Sequence, residues 1–279
     1  SAVSEIQTAV YILNLGKFDI GTGSFTADFY LSFKCDNVCP DFDFEFSNGR
    51  AATVDKIIDT VSEKFYRIQA NLNSPIDLKR YPMDSQKLQI IIEDKKATTD
   101  LVRFVPNLKE SGIDREIVFA GWKISDWSAV EEKHYYKVYD EIYSRYVFTI
   151  PIERISLNSF FKTFLPVIFI VLVMLSSYFL NPDKITTRLA MAGSALVASV
   201  MFHISISNQI PPVSYLTFAD KFMVITYLLI LLSFVINVIL LELVERKKHE
   251  LVMKIYRATE YSSIAIAILL YEILFFAAL

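Results

Sequence analysis

The stretch FMVITYLLILLSFVINVILL, residues 222–241, carries no charged side chain along its whole length. An α-helix needs about 20 predominantly apolar residues to cross the hydrocarbon core of a bilayer, and this segment supplies them. It lacks the polar face at helical period that a helix packed on a soluble core would show. Working outward, FLPVIFIVLVMLSSYFL (164–180) is also uncharged. LAMAGSALVASVMFHISISNQI (189–210) has no Lys, Arg, Asp or Glu but is studded with serines, and YSSIAIAILLYEILFFAAL (261–279) is apolar apart from Glu272. The chain reads as a membrane protein with four spans.

Charge is distributed to match. Residues 1–155 hold 19 Lys+Arg against 24 Asp+Glu, whereas residues 156–279 hold 9 against 7, clustered between spans. Lys184 and Arg188 separate the first two spans. Arg246, Lys247, Lys248, Lys254 and Arg257 lie around the junction of the last two, and PPVSYLTFADK after the second span is nearly neutral. The positive-inside tendency makes both basic loops cytoplasmic. Residues 1–155 and the C-terminus Leu279 then lie outside a cell membrane that the chain crosses several times. A net charge of −3 gives no sign of a nucleic-acid partner. The start, SAVSEIQTAV, has neither a basic n-region nor a long apolar core. It does not read as a signal peptide, and it is compatible with a leader removed from a precursor.

The outer half alternates in short runs: TADFYLSFK (26–34), KLQIIIED (87–94), GWKISDWSAV (121–130) and RYVFTIPIERI (145–155). AATVDKIIDTVSEK (51–64) has room for a short helix. Several short strands between turns predict a β-sandwich. The expected fold class is thus an α+β membrane protein: an extracellular immunoglobulin-like β-sandwich (1–156, ligand-sensing) followed by a four-helix transmembrane domain (157–279, pore). No G-x-S-x-G, H-E-x-x-H or glycine-rich phosphate loop is present, and His134, His203 and His249 are far apart, so nothing points to an enzyme, a cofactor or a histidine-based metal site. Internal repeats and broken helices, the marks of a secondary transporter, are absent as well. Cys35 and Cys39, spaced C-x3-C, leave three readings open: a local disulfide in an oxidising compartment, free thiols, or a two-cysteine metal site with no histidine nearby.

One loop carries a resemblance. SPIDLKRYPMDSQKL (74–88) is similar to the signature loop of pentameric ligand-gated ion channels, the Cys-loop receptor superfamily, which runs aromatic-Pro-x-Asp-x-Gln, here Tyr81-Pro82-Met83-Asp84-Ser85-Gln86. Ser74 and Leu88 stand where animal receptors have two bracketing cysteines, as in prokaryotic members. GWKI (121–124), Arg154, Pro166, SNQIPPVSYLTF (207–218) and the short basic linker before the last span resemble the family in order and spacing. The chain departs from it between Lys34 and Tyr66, which is short and has no tryptophan, putting the family's complementary agonist face in doubt.

The resemblance implies a ligand-gated ion channel: a homopentamer of identical subunits in membrane lipid, with permeant ions crossing a central pore lined by the second span. Steps of four and three from Ala190 reach Ser194, Val197, Met201, Ile204 and Asn208 on one helical face, and the family's lining positions counted from Arg188 fall on the same residues. Thr186 and Thr187 come at the cytoplasmic mouth, and Ser205 near the outer end. The acid of many cation-selective relatives is missing at that mouth, with Asp183 about a turn lower. The Pro-Ala pattern of anion-selective relatives is missing too, and the excess of acids in the outer half tips the reading toward cations. The resemblance further implies a gating interface of Lys17, Asp19, Tyr81, Pro82, Asp84, Arg154, Pro211, Pro212 and Tyr215. It also implies a ligand-closing hairpin, HYYKVYDEIYSRY (134–146), with Tyr135, Tyr136, Tyr139, Tyr143 and Tyr146. Stacked tyrosines suit a cationic amine, while alternation equally permits sheet packing for every second one. The stimulus stays open between a small agonist, protons (with His203 and Glu272 as ionisable groups) and calcium (Glu131, Glu132, Asp140, Glu141).

Overall fold

The computed structural model describes residues 3–278, with the side chain of Ala278 left aside; the expectation for Leu279 lies outside the described residues. The chain divides into two compact units, Ser1–Asp77 with Ser85–Ile155, and Leu78–Asp84 with Ser156–Leu279.

The first unit consists of two sheets. One contains β1 (Ser4–Leu15), β2 (Ser24–Lys34), β4 (Gly49–Asp59), β5 (Glu63–Asn73), β7 (Val102–Pro106) and β8 (Gly112–Ile113), in the order β4-β5-β2-β1-β7 with β8 beside β1. The other contains β3 (Phe44–Phe46), β6 (Ser85–Asp94), β9 (Trp122–Ile124), β10 (Ser128–Tyr136) and β11 (Glu141–Arg154), in the order β10-β11-β6-β3 with β9 beside β11. Strand side chains alternate between faces, so one set from each strand enters the core: Tyr66, Ile68, Ala70 and Leu72 from β5, Leu88, Ile90 and Ile92 from β6, and Phe148, Ile150 and Ile152 from β11. The β-sandwich expected from the sequence is the observed architecture.

Two expectations change. Residues 51–64 are not helical: they form most of β4, a tight turn and the start of β5, with the Thr60 amide and hydroxyl both bonded to Glu63. β4 is an edge strand with almost no buried face and two bulges, between Ala51 and Thr53 and between Lys56 and Ile58, so it never shows the period of two that identifies a strand. Among the readings left open for the cysteines, the structure has Cys35 and Cys39 bonded to one another, with Cα atoms 5.2 Å apart.

The second unit holds α1 (Ser156–Ser176), α2 (Ile185–Ser207), α3 (Phe218–Glu245) and α4 (His249–Ala278). Short 3-10 turns, Ser177–Phe179 and Pro182–Lys184, lie between α1 and α2. All four helices are long and apolar enough to cross a membrane, with mean hydropathy from 1.6 to 2.8 over their best windows, so the chain is a multi-pass membrane protein. α3 begins on a capping box: the Thr217 hydroxyl accepts from the Asp220 amide, and the Asp220 carboxylate accepts from the Thr217 amide. Both satisfy donors that a helix start leaves without intrahelical partners. The bundle is filled at one end by an aromatic group of Phe160, Phe164, Phe218, Phe222, Tyr271 and Phe275.

Candidate functional site

α2 has two contrasting faces. Ile185, Arg188, Ala192, Ala195, Ser199 and Ile206 are buried against the rest of the bundle. Thr186, Thr187, Ala190, Ser194, Val197, Met201, Ile204, Ser205 and Asn208 are all exposed. Two apolar members of that face are widely open, Val197 at 66% and Met201 at 64% exposure. Leu196 and Val200 are also exposed, on its flanks. The single chain therefore leaves uncovered a strip running from hydroxyls through apolar side chains to Asn208. A helix in contact with lipid alone would have no use for small polar groups on such a strip, since lipid offers them no partners. Asp183 is exposed in the turn preceding α2.

His203 lies off that strip and is engaged. Its Nδ1 is 2.9 Å from the Tyr227 hydroxyl and its Nε2 is 3.2 Å from Asp220 Oδ1. It ties the end of α2 to the start of α3 through the carboxylate that caps α3. Glu272 is exposed on α4.

The segment Leu78–Asp84 packs with the connection between α2 and α3. The Phe218 amide donates to the Lys79 carbonyl at 2.9 Å, and the Ala219 amide to the Tyr81 carbonyl at 3.1 Å. The Leu78 amide donates to the Tyr215 hydroxyl at 2.9 Å, and the Tyr81 hydroxyl donates to Gln209 Oε1 at 3.3 Å. The Lys79 ammonium sits over the Tyr215 ring, 5.8 Å from its centre. The Tyr81-Pro82 peptide bond is cis. Of the expected gating residues, Tyr81 and Tyr215 thus join one hydrogen-bonded group; Pro82 is in the same segment, and Pro211 and Pro212 begin the connection. Asp84 is buried at 2% exposure. In the first unit, the Arg154 guanidinium stacks 4.4 Å from the Trp122 ring centre. Asp19 closes its own turn by accepting from the Gly21 amide and the Thr22 hydroxyl, with Lys17 exposed beside it.

The five tyrosines of the β10–β11 hairpin divide. Tyr136 and Tyr143 meet edge-on with ring centres 5.5 Å apart, and His134 packs against Tyr136 at 4.4 Å. Tyr136 donates its hydroxyl to Glu93, which also holds Arg145. Tyr143 donates to Glu141, and this bond pushes its own proton loss up to about 12. Tyr139 is exposed at the tip, where Asp140 takes a left-handed φ of 55° and accepts from the Tyr135 hydroxyl. Asp is among the few residue types with a short polar side chain that visit this region at low cost. Tyr146 corrects the expectation: it is wholly buried in the sandwich core, with its hydroxyl near Ser111 and Val10 but closing no hydrogen bond of good geometry. No surface ligand reaches it, because β11 turns that face inward. Beside Tyr136 a cleft of about 660 Å3 is lined by Asp43, Glu45, Arg50, Tyr66 and Lys95.

Two residues that sequence reasoning passed over belong to this group, Glu93 and Arg145. Their signal was a charged pair set into otherwise apolar strands, IIIED and RYVF. The acids considered for calcium do not converge: Glu131 is held by Arg103 and Ser144, Asp140 by Tyr135 and Glu141 by Tyr143. Among the described residues no group of His, Cys, Asp and Glu is placed to hold a metal ion. The Arg103 guanidinium holds the Glu131 carboxyl below the usual glutamate range.

Residues 163–265 match the family described as the neurotransmitter-gated ion-channel transmembrane region. A proton-gated ion channel of Gloeobacter violaceus is 25% identical over 162 residues, 58% of this chain and 45% of the relative. A gamma-aminobutyric acid receptor subunit beta-like protein of Drosophila melanogaster is 22% identical over 165 residues, 59% of this chain and 33% of the relative. The alignments thus span less than half the length of these curated relatives. One relative is an ion channel by name and the other a receptor subunit, and the matched model describes a channel transmembrane region that overlaps all four apolar helices found here. The β-sandwich followed by four apolar helices, together with these matches, makes the chain similar to the pentameric ligand-gated ion channels, the family that its loop 74–88 resembles.

Proposed function

We propose that the chain is a subunit of a homopentameric, cation-conducting channel in a cell membrane, with the β-sandwich (1–156) outside as the sensing domain and 157–279 as the pore domain. The reading is carried by one observation: the uncovered strip of α2, which five copies around an axis would bury against a shared aqueous lumen. Val197, Met201 and Ile204 form an apolar belt that stops ions by dewetting, and Ser194 and Asn208 meet hydrated ions on either side. Lys17, Asp19, Tyr81, Pro82, Asp84, Arg154, Pro211, Pro212 and Tyr215 carry a rearrangement of the β-sandwich to α2. The energy comes from a stimulus that binds the open state more tightly than the closed one.

The relatives' names include a proton-gated channel and a gamma-aminobutyric acid receptor subunit. What favours an amine here is the aromatic pair Tyr136 and Tyr143 beside the exposed carboxylate of Glu141, since a cation over aromatic faces gains about 0.5–2 kcal/mol. Tyr135 and Tyr139 complete that hairpin. The test is current recording from purified protein in planar bilayers, with pH steps and a panel of primary amines, plus reversal potentials in a sodium chloride gradient. Stimulus-dependent current reversing near the sodium potential is expected. A protein that is monomeric by mass in lipid nanodiscs and carries no current would overturn the reading.

A further inference from the structure

Arg188 has no exposed surface. Among the described residues, none of its three guanidinium nitrogens has a hydrogen-bond partner, and no carboxylate lies within salt-bridge distance. At this end of the bundle Glu242 pairs with Arg246 and Glu250 with Lys254, and Asp183 and Glu245 are at the surface. The guanidinium is flanked instead by two aromatic rings, Tyr178 at 5.2 Å and Tyr256 of α4 at 5.7 Å. Arginine does not lose its charge in proteins, and an unpaired buried charge is disfavoured by several kcal/mol. Two ring faces offset only part of that.

A second observation comes from α3. Both side-chain polar atoms of Asn237 and the Ser233 hydroxyl are fully buried without partners, and Ser233 lies beside the Tyr178 hydroxyl without closing a good hydrogen bond. α2 and α3 run antiparallel, since His203 near the end of α2 bonds Asp220 at the start of α3, and Ile185 at the start of α2 clusters with Leu240 near the end of α3. Tyr227 bonds the Ser199 carbonyl. Roughly three turns back along α2 from Ser199 is Arg188, and the same step onward along α3 from Tyr227 reaches Asn237. The orphan groups of the two helices come level. Between them they offer mostly donors: a guanidinium, an amide and a hydroxyl.

We propose that this level of the bundle is an anion site, in which a compact free anion of halide size sits against Arg188, with Asn237 and Ser233 completing its shell. Full enclosure favours a small ion over a lipid phosphate, whose ester arms need an opening to the bilayer. Of the two rings against Arg188, Tyr178 is buried and Tyr256 only half-buried, so the approach to the guanidinium is over Tyr256. The basic residues Arg246, Lys247 and Lys248 on the α3–α4 turn raise the local anion concentration. The site lies within one chain, so it stands apart from the channel reading and does not need a conducting pentamer.

The full-length protein, purified in sodium gluconate, is titrated with sodium bromide while thermal unfolding is followed, and crystals grown in bromide are measured at the bromine edge. Expected are a saturable rise of several degrees in the unfolding midpoint, as for any ligand that binds only the folded state, and an anomalous peak beside Arg188. Arg188→Gln should abolish the rise, and Tyr256→Leu should alter the half-saturating bromide concentration at least threefold. If Arg188→Gln does not fold, the anomalous peak in the unaltered protein decides. No peak there, or a bromide response unchanged in Arg188→Gln, overturns the proposal. So does stabilisation by added anionic phospholipid with none by bromide, which would assign the group to a lipid head.

Discussion

The Leu78 amide and the Tyr215 hydroxyl share a hydrogen bond of 2.9 Å across 137 residues of chain. It is one of the bonds that fasten Leu78–Asp84 to the connection between α2 and α3 and to the first turn of α3, and a single-atom change in the Tyr215 side chain removes it. Tyr215→Phe leaves the Leu78 amide without its partner, an effect of about 1–3 kcal/mol when the group stays buried. Expected is normal assembly, with activation moved several-fold along the stimulus axis in bilayer recordings. Unchanged activation would show that the latch takes no part in gating.

Val197→Ser places a hydroxyl on a widely open apolar position of the α2 strip. Hydration of the belt should become easier, giving a larger resting current or activation at lower stimulus. Ala192→Ser, on the buried face of the same helix, should lower thermal stability by about 1–3 kcal/mol through burial of a hydroxyl or crowding without producing a leak. A leak from Ala192→Ser and none from Val197→Ser would mean that the two faces have been exchanged.

Tyr143→Ala should weaken activation by a primary amine by about tenfold, the loss of one aromatic face, and Tyr146→Phe should leave it unchanged. Tyr146→Phe also removes a buried hydroxyl that makes no hydrogen bond of good geometry. Its unfolding midpoint should equal or exceed that of the parent. An amine response that follows Tyr146 rather than Tyr143 contradicts the division of the hairpin.

Glu131 gives a pH prediction. Arg103, then Ser144, stabilise its ionised form and lower its pKa in the folded protein. The unfolded chain has the ordinary value near 4.3, so the pair contributes stability above that pH and loses it as pH falls through the lower folded value. Glu131→Gln should flatten the fall in unfolding midpoint between about pH 5 and pH 3. The same sign makes Glu131 a poor sensor of mild acidity, and its replacement should leave any activation near pH 6 intact.

Legibility in the sequence followed burial. Long uncharged runs give the helices, because a single apolar segment in lipid satisfies its backbone within itself only as a helix, and strands with one face in the core show their alternation. β4 has no such face: its register comes from β5 alone, and nothing in the order of its own residues records that partner. The spacing along α2 could be read because helical geometry fixes which side chains share a face. Tyr146 could not be sorted from Tyr143, since alternation says that two positions differ but leaves open which one turns inward. Glu93 and Arg145 lie on different strands, 52 residues apart, and only the pairing of β6 with β11 brings them together.

β4 bears on how the protein behaves outside a cell. An edge strand offers unpaired backbone groups to any other strand it meets, and this one also exposes Val54 and Ile57. Its two bulges and the pair of Lys56 with Asp59 interrupt that rim with twist and charge, the devices by which β proteins avoid sticking edge to edge. Shelf life is therefore written into this one strand: detergent that shields the helices gives it no protection, and stabilising substitutions chosen for β-propensity at Asp55 or Lys56 would trade a modest gain in folding for precipitation on storage.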